Sequence, residues 1–570
     1  MKKVRLTLLS FSAALILIFI LASCDGSHTH SYTQKNTDVK YLTSNASCVD
    51  ENEYYYSCSC GEAGEEKFTA PPIPHTVQDG KCTRCSLLES SSGLHFALNP
   101  DESSYRVMGI GSCTDQDIVI GIYNNMSVTS ISKEAFAHSL ATTSVTVADC
   151  VNSIGDGAFY SCVNLTEVTL PKSITSIPKQ AFAHCTRLTN VSLPDSVTAI
   201  GKEAFADCSD LVSLSMGTGL KSISTDAFKN CYKLVEVINK SQMQIAAGAE
   251  NYGGVGYYAK EIHSGDSKIH LTDNFLFYTH GGVNYLVGYV GTERNVILPD
   301  DYNGEGYEIY SRAFYNRYEF TSVTIGKHTT NIGWFAFEEC PSLFEVINKS
   351  QLKLSSHPSL DNSVCCIYGG REIHTGESKI DIIDGYVFYT YDNVNYLLDY
   401  VGTETDITLP DTYNSKPYEI YKYAFYRDYK ITSVKVPNSI TFIPEYAFMC
   451  CVNLVSVDLG DGVTDICQNA FAQCQNLAEV KLSASLERIW HYAFYYCKSL
   501  DNVSIPRATT HIYFYAFAYC ENLSSVTFEK ADRWRTNVSF VSFSENELSN
   551  KSTAAKYLSN THSTSWWMQE

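Results

Sequence analysis

The sequence has little clustered positive charge and no long apolar run outside its first residues. Lys and Arg number 42 against 62 Asp and Glu, the formal charge is −20, and no basic run follows residue 5. Because nucleic acids are bound through clustered Lys and Arg, we expect no nucleic-acid partner. No later segment is apolar for long enough to cross a bilayer. The body of the chain is therefore expected to lie outside the hydrocarbon region of a membrane.

Catalytic signatures are also missing. The sequence contains no P-loop, no G-x-S-x-G and no H-E-x-x-H stretch. Its acidic residues are scattered, without the spacing of a calcium-binding loop. These absences predict that the protein is not an enzyme.

The N-terminus has the pattern of an export signal. Residues 1–23 combine a basic stub, an apolar run and small residues before Cys24, as secretory signal peptides do. The stretch LASC at 21–24 resembles the bacterial lipobox, which implies that Cys24 carries the lipid and anchors an exported protein at the bacterial cell surface. An uncleaved anchor, or a plain signal with an incidental cysteine, stays open as the alternative.

A short repeat of constant length organises most of the remaining chain. A complete unit reads LTNVSLPDSVTAIGKEAFADCSD at 188–210, in which the alternation around Val191 and Leu193 predicts a strand that Pro194 ends. The EAFADC segment is expected to form a short helical or 3₁₀ turn. Units this small cannot bury their own apolar face, so the period predicts a solenoid. Its twelve copies are marked by Phe136, Phe159, Phe182, Phe205, Phe228, Phe314, Phe337, Phe425, Phe448, Phe471, Phe494 and Phe517.

The motif L-x-x-V-x-L-P-x-S-V-x-x-I-G-x-x-A-F-x-x-C resembles the BspA-like, or Treponema pallidum type, leucine-rich repeats of bacterial surface proteins. The units cover about half of the chain. The resemblance implies a leucine-rich repeat solenoid of short parallel strands and short turns at a cell surface. It also implies adhesion to host proteins or to other cells, and no catalytic residues.

Two long interruptions of the repeat resemble each other. EVINKSQ at 236–242 returns at 345–351, and EIH at 261–263 returns at 372–374, after which the two copies keep a constant offset. Alternating residues around a Gly-Gly or an Asp-Asn turn predict a β-hairpin in each, which we expect to cap the edge of the solenoid. The expected layout is a signal peptide (1–23), a Cys/His-rich module (24–90), a β-rich module (91–127), array 1 (128–235), a hairpin insert (236–306), array 2 (307–344), a second hairpin insert (345–417), array 3 (418–528) and a C-terminal cap and tail (529–570).

The Cys/His-rich module contains two close cysteine pairs, C-x-C and C-x-x-C. Tetrahedral zinc needs four sulfur or nitrogen ligands, which such pairs can supply from two tight turns. The candidate ligands of a structural zinc are Cys58, Cys60, Cys82 and Cys85, with Cys48 or His75 as possible substitutes. Disulfides remain the rival interpretation, because an exported chain can meet oxidising conditions.

Nine cysteines lie three residues after a repeat Phe, so AFAHC at 181–185 is one of many copies rather than a unique thiol site. We interpret them as buried free thiols and His184 as a variable outer residue. Ser139, Arg317 and Asp428 replace this cysteine in the first unit of each array, where burial is expected to be weakest.

The leading hypothesis is an adhesin-like surface protein that binds a host or microbial surface protein or glycan and requires no cofactor. Its variable strand face would carry the contacts. A structural spacer and a carbohydrate- or cell-wall-binding protein are the alternatives. The candidate surface positions are Thr189, Asn190, Ser192, Asp501, Asn502 and Ser504.

Overall fold

The computed structural model describes residues 31–43, 48, 52–57, 62–70, 73–356, 364–367, 370–536 and 541–569. It divides into two compact units. Unit 1 comprises the residues up to Glu89 together with Ile122–Ser127, and unit 2 comprises Ser90–Gly121 and Val128 onward. The predicted signal peptide and Cys24 lie outside the described residues. Among the described residues, no helix has both the length and the apolar character that a bilayer span requires.

Unit 2 is a β-solenoid in which each repeat forms one coil with two strands. In the coil 188–210 a long strand, Asn190–Ser192, is followed by a short strand, Ala199–Ile200. Both strands pair in parallel with their counterparts in the next coil, so that Val191 lies beside Leu214 and Ile200 beside Ile223. The predicted leucine-rich repeat solenoid is therefore confirmed, and its core runs between the two stacks of strands.

The long strands stack into one set of sheets, which we call the long-strand face. In strands such as Glu167–Thr169, Asn190–Ser192 and Asn502–Ile505 exposed residues alternate with buried ones, because successive side chains of a strand point to opposite sides. Its strands are Asp117–Ile120, Ser144–Val147, Glu167–Thr169, Asn190–Ser192, Ser213–Met216, Glu236–Asn239, Glu261–His263, Asn295–Ile297, Ser322–Ile325, Glu345–Asn348, Glu372–His374, Asp406–Thr408, Ser433–Lys435, Ser456–Asp458, Glu479–Lys481, Asn502–Ile505 and Ser525–Phe528.

The short strands stack on the other side of the core, which we call the short-strand side. Its strands are His95–Leu98, Tyr105–Gly109, Met126–Ile131, Ser153–Ile154, Ser176–Ile177, Ala199–Ile200, Ser222–Ile223, Ile269–Thr272, Phe275–His280, Val283–Tyr289, Tyr307–Ile309, Thr329–Ile332, Asp381–Ile383, Tyr386–Tyr391, Val394–Tyr400, Glu419–Ile420, Phe442–Ile443, Asp465–Ile466, Arg488–Ile489, His511–Ile512, Trp534–Thr536 and Trp567–Gln569. A separate parallel pair, Lys353–Ser355 with Val364–Cys366, lies in the second insert.

The segment after each short strand is a run of turns rather than a 3₁₀ helix. The N–H groups of Ala183 and Cys185 donate to carbonyls three residues earlier, as in a 3₁₀ turn. The N–H groups of Phe182 and His184 instead donate to the next coil, at 2.8 Å from the carbonyl oxygens of residues 204 and 206. His184 has φ 60°, in the left-handed region, and this conformation repeats along the arrays. Alternate amides therefore hold neighbouring coils together.

Both predicted hairpins are present. In the first insert Phe275–His280 and Val283–Tyr289 pair in antiparallel fashion around Gly281 and Gly282, whose φ values are 60° and 79°. In the second insert Tyr386–Tyr391 and Val394–Tyr400 pair in the same register. Positive φ at both central residues is the conformation of a type I′ turn, which glycine and Asp-Asn accommodate.

Each hairpin closes one array and begins the next. Val283–Tyr289 pairs in parallel with Tyr307–Ile309, so the hairpin is the first layer of the short-strand side of array 2. Its other side packs on Val212 and Val235 at the end of array 1. In the second insert the hairpin packs on Phe344 at the end of array 2. The hairpins thus cover strand edges that would otherwise be free to pair with another chain.

The repeat phenylalanines form a continuous column in each array. Phe182 and Phe205 are fully buried, and their rings stack with centroids 5.3 Å apart at 5°. The thiol of Cys208 donates to the carbonyl oxygen of Phe182 at 3.2 Å. The same oxygen also accepts a hydrogen bond from the N–H of Cys185. All nine repeat cysteines make this thiol hydrogen bond and are buried free thiols. Each thiol thus uses the second lone pair of a core carbonyl in the preceding coil.

The expectation of weak burial at Arg317 and Asp428 is wrong, since they are only 3% and 5% exposed. Arg317 lies 2.9 Å from the carboxylate of Asp210 in array 1. Lys233, also fully buried, donates to Asp210 at 2.6 Å and to the carbonyl oxygen of Ala313 at 2.7 Å. Array 1 and array 2 therefore meet through a buried ionic cluster. Arg317, which stands where other coils have the repeat cysteine, is buried because it belongs to this cluster.

A second ion pair, between a partly exposed arginine and a buried aspartate, joins the two inserts. Arg294 of the first insert lies 3.0 Å from Asp399 of the second, whose side chain is 1% exposed. Burial raises the pKa of Asp399 to about 7, although Arg294 opposes this shift. The equivalent positions in the other copy of the module are Thr405 and Gly288, so each partner is charged in only one copy. The two copies have diverged into complementary halves of one contact.

The C-terminal segment covers the last coils of array 3. Trp567–Gln569 pairs in antiparallel fashion with His511–Ile512 and with Trp534–Thr536. Trp567 is buried against Phe528 and Phe543, whereas Trp566 remains on the surface. Two short helices, Glu545–Ser549 and Lys551–Lys556, followed by a π turn at Tyr557–Thr561, belong to the same segment.

The part of unit 1 that the structure describes forms short strands, one turn and a small core. An antiparallel pair, Asn52–Ser57 with Ala63–Ala70, packs beside a 3₁₀ turn at Val39–Tyr41. A short hairpin, Val77–Gln78 with Lys81–Cys82, carries the C-x-x-C pair. The segment Ile122–Ser127 completes the unit, with Ile122–Tyr123 paired to the start of Met126–Ile131.

Replacing Cys208 by Ala should destabilise array 1 by about 1–2 kcal/mol, because one hydrogen bond of about 1 kcal/mol and the packing of the sulfur are lost. The matched control is Cys467→Ala, at a partly exposed cysteine outside the repeat position, with an expected cost below about 0.5 kcal/mol. Urea denaturation followed by circular dichroism measures both. Equal costs for the two variants would contradict the role of the thiol.

Asp399→Gly and Arg294→Thr install the residues of the other module copy and should each cost about 1–3 kcal/mol at neutral pH, because each removes one partner of the pair and leaves the other polar group without it. The double variant should cost clearly less than the sum of the two. A parallel cycle on the exposed Asp458–Lys481 pair, whose charged atoms are 3.2 Å apart, should couple by less than about 1 kcal/mol. Additive costs at Asp399 and Arg294 would show that the contact does not join the inserts.

Candidate functional site

The long-strand face of array 1 carries a groove of about 600 Å³. Its floor includes the exposed side chains of Glu167, Asn190 and Ser192, which flank buried valines of the same strands. One wall is formed by the first insert, with Ile269 and the exposed Leu271. The groove therefore combines hydroxyl, amide and carboxylate groups with an apolar wall, a composition suited to binding another molecule.

Of the predicted surface positions in this coil, Asn190 and Ser192 are exposed, but Thr189 is buried. The hydroxyl of Thr189 donates to the carbonyl oxygen of Thr166 in the preceding coil at 3.5 Å. The prediction for Thr189 is thus wrong, because alternation begins one residue later than assumed. Asp501, Asn502 and Ser504 are exposed, as expected.

The same face of array 3 carries a smaller groove of about 310 Å³ with a different chemistry. Charged residues of both signs line it, namely Asp406, Lys435, Asp458, Glu479 and Lys481. Lys481 lies 3.2 Å from the carboxylate of Asp458. Although partial burial raises the pKa of Asp458, hydrogen bonds from a backbone N–H and from Lys481 lower it overall. The two grooves share one fold position but offer different surfaces.

A buried carboxylate at the end of array 1 binds the first insert to the long-strand face. Glu236 is fully buried and accepts hydrogen bonds at 2.6 Å from the hydroxyls of Ser213 and Ser267 and from the N–H of Lys268. His263 Nε2 lies 3.1 Å from the same carboxylate. Burial raises the pKa of Glu236, but these hydrogen bonds outweigh it and lower the pKa.

The second insert repeats this arrangement around Glu345, with His374, Ser378 and Lys379. The sequence displays the duplication of EVINKSQ and EIH but not the contact between these two stretches. In the first copy His263 Nδ1 accepts from a backbone N–H at 3.2 Å while Nε2 faces Glu236. Both ring nitrogens are engaged in holding the insert, so this histidine has no nitrogen left to act as a base.

AFAHC at 181–185 holds no reactive thiol. Cys185 is fully buried, its thiol donates to the carbonyl oxygen of Phe159 at 3.2 Å, and burial raises its pKa well above the ordinary value. The side chain of His184 is 44% exposed and its Nδ1 lies 3.7 Å from the carboxylate of Asp207. Cys185 is therefore a protonated thiol packed in the core, and the imidazole of His184 lies on the surface of the coil.

In unit 1 four potential metal ligands converge. One ligand atom each from Cys48, His75, Cys82 and Cys85 lies within 4.8 Å of the others. The sulfurs of Cys48 and Cys82 are 3.7 Å apart, and Cys85 Sγ lies 3.5 Å from His75 Nδ1. All but Cys85 are buried. Two predicted ligands, Cys58 and Cys60, lie outside the described residues.

The surroundings shift the pKa values of Cys48 and Cys82 in opposite directions. Burial raises the pKa of Cys48. Burial also acts to raise the pKa of Cys82, but hydrogen bonds from the N–H groups of Cys85 and Arg84 and from His75 outweigh it and lower the pKa. Donors aimed at one sulfur favour a thiolate there, which is the form in which cysteine binds metals.

Comparison with known proteins identifies the repeat. The BspA type leucine rich repeat region matches in six copies over residues 126–249, 307–398 and 418–546, more than half of the chain. The chain belongs to this family. The matched ranges of this BspA-type protein include the phenylalanine columns and the cysteine bonds described above, whereas the first hairpin, residues 275–289, lies between two of them. No curated protein sequence matches the chain.

Solved structures of other bacterial leucine-rich repeat proteins are similar to this BspA-type chain. A leucine rich cell surface protein from Faecalibacterium prausnitzii is 22% identical over 81% of this chain and 96% of its own, with a TM-score of 0.29. The T. pallidum leucine rich repeat protein is 23% identical over 30% of this chain and 79% of its own, with a TM-score of 0.28. A leucine-rich repeat protein from Bacteroides ovatus is 18% identical over 76% of this chain and 87% of its own, with a TM-score of 0.23.

Proposed function

We propose that the chain is a non-catalytic, adhesin-like protein of the bacterial cell surface that binds a surface protein through its long-strand face. The family assignment supports a binding role, since BspA-type repeats belong to a leucine-rich repeat family rather than to an enzyme family. Export and anchoring would come from the signal peptide at 1–23 and the lipid on Cys24.

The observation that carries this proposal is the contrast between constant and variable positions on one face. Val168, Val191 and Val457 occupy equivalent buried positions in their strands. The exposed neighbours change from Glu167 in one coil to Asn190 in the next. A core held fixed while its outer residues vary is the arrangement that lets repeat proteins present different contacts on one scaffold.

The two grooves suit a protein partner. Array 3 supplies charges of both signs beside one another, which can pair with complementary charges and orient a partner. Array 1 supplies an apolar wall beside amide and hydroxyl groups, a mixture that resembles the core and rim of protein interfaces. A partner that spans both grooves would gain contacts from each.

Binding should depend on the long-strand face. In the array 3 variant Lys435→Glu with Lys481→Glu, and in the array 1 variant Asn190→Arg with Ser192→Arg, saturable binding to the partner should weaken at least tenfold, because charges are reversed or inserted in the grooves. The measurement is surface plasmon resonance of the exported chain against a panel of immobilised matrix proteins and glycans.

The matched control is Lys179→Glu with Lys221→Glu, two exposed lysines beside strands of the short-strand side, which changes the net charge as the array 3 variant does. Its affinity should equal that of the parent. Binding that is unaffected by both groove variants would contradict the assigned face. Failure to bind any immobilised protein would favour a spacer, and binding to glycans alone would favour the carbohydrate-binding alternative.

Lipid attachment should require Cys24. The variant Cys24→Ser should move from the detergent phase to the aqueous phase in Triton X-114 partitioning, because the thioether to the lipid cannot form. The control Cys113→Ser, at a cysteine outside the signal region, should stay in the detergent phase. Detergent-phase partitioning of Cys24→Ser would contradict the lipoprotein assignment.

A further inference from the structure

We propose that unit 1 binds one structural zinc ion through Cys48, His75, Cys82 and Cys85. This site is independent of the binding role assigned to unit 2. Its ligand set combines Cys82 and Cys85 of the predicted C-x-x-C pair with Cys48 and His75, the two residues that the sequence offered as substitutes. Three thiolates and one imidazole form a common ligand set of structural zinc.

The distances agree with a tetrahedral ion. With Zn–S bonds of about 2.3 Å and Zn–N bonds of about 2.0–2.1 Å, the ligand atoms of a tetrahedron lie about 3.8 Å apart for two sulfurs and about 3.6 Å apart for sulfur and nitrogen. The Cys48 and Cys82 sulfurs are 3.7 Å apart. Cys85 Sγ and His75 Nδ1 are 3.5 Å apart. Both edges thus have the length that a shared zinc imposes.

The histidine is oriented for metal binding by its second nitrogen. His75 Nε2 lies 2.9 Å from the hydroxyl of Ser127, which leaves Nδ1 facing Cys85. The backbone N–H of His75 also donates to the carbonyl oxygen of Asn125 at 2.8 Å. Metal-binding histidines are commonly fixed by such a hydrogen bond on the other ring nitrogen. The segment Ile122–Ser127 therefore acts as a support for the site.

The cysteine pair sits on a tight turn of the kind that presents two sulfurs to one ion. Lys81–Cys82 ends the short hairpin, and the N–H of Ser86 donates to the carbonyl oxygen of Cys82 at 2.9 Å. The N–H of Cys82 in turn donates to the carbonyl oxygen of Leu87 at 2.8 Å, and this bond closes the turn. The four protein ligands complete a tetrahedron, so the ion has no open position for substrate and its role is structural.

A link of this kind would stabilise unit 1, because the apolar core formed by its described residues is small. Its largest group of buried apolar residues around the first sheet consists of Tyr41, Tyr54, Phe68 and Ala70. A second small group surrounds Cys48 and Cys82 themselves. Small domains with few buried residues usually depend on a metal or on disulfides. A disulfide between Cys48 and Cys82 would use neither His75 nor Cys85, although both converge on the same point.

The experiment measures zinc per chain by mass spectrometry of metals, on the exported chain purified without chelators. Cys82→Ser and Cys85→Ala should each contain one zinc fewer than the parent. Cys85→His should keep it, since imidazole can replace the thiolate. Cys113→Ser, at a partly exposed cysteine of unit 2, is the matched control and should equal the parent. Equal zinc in Cys82→Ser and Cys113→Ser would overturn the proposal.

A measurement on the unaltered chain guards against variants that fail to fold. Alkylation followed by peptide mass spectrometry should find Cys48, Cys82 and Cys85 protected until a chelator is added, with no need for a reductant. Modification that requires a reductant would establish a disulfide and overturn the zinc site. Modification that is complete without chelator would overturn it as well.

Discussion

Hydrogen bonding between successive coils is the constraint on which the solenoid depends. The strands of a coil are too short to enclose a core, and alternate amides of each turn, such as those of Phe182 and His184, have their acceptors in the next coil. A coil on its own would leave these buried groups unpaired, at a cost that no local contact offsets. The phenylalanine column and the thiol bonds to its carbonyls follow from the same stacking.

Since every coil needs a neighbour, each end of an array must be closed by something other than a repeat. The two hairpins and the C-terminal strand with Trp567 fill this need. Where arrays or inserts meet, the contacts include ion pairs as well as apolar packing. Arg317 with Asp210, and Arg294 with Asp399, place opposite charges out of water in pairs whose partners come from distant parts of the chain. Such pairs favour one mutual arrangement of the arrays, since a mismatched array would bury a charge alone.

The periodicity of the sequence was sufficient to predict the features that every coil shares. The constant spacing of Phe, the burial of Cys185 and the exposure of His184 depend on the coil alone, and so does the hairpin around Gly281 and Gly282. It was insufficient where distant coils meet. The burial of Arg317 and the closure of Glu236 by the insert depend on contacts across many residues, which spacing does not encode.

The Cys/His-rich module shows the same limit in another form. Spacing identified the C-x-x-C pair at Cys82 and Cys85 correctly as close together, because a tight turn places them so. It offered Cys48 and His75 only as substitutes for Cys58 and Cys60, since their approach to Cys82 and Cys85 depends on how the chain folds between them. The contact of His75 Nε2 with the hydroxyl of Ser127, which lies on a distant segment of the chain, could not be predicted from the spacing either.

Hydrogen–deuterium exchange of the turn peptides tests the coil-to-coil bonding most directly. If alternate turn amides bond to the next coil, peptides spanning 180–185 and 203–208 should be protected to the same degree as those containing Asn190–Ser192. Peptides from the loop at 241–250, which is largely exposed, should exchange quickly in the same sample. Turn peptides that exchange as fast as this loop would contradict the interlocked solenoid.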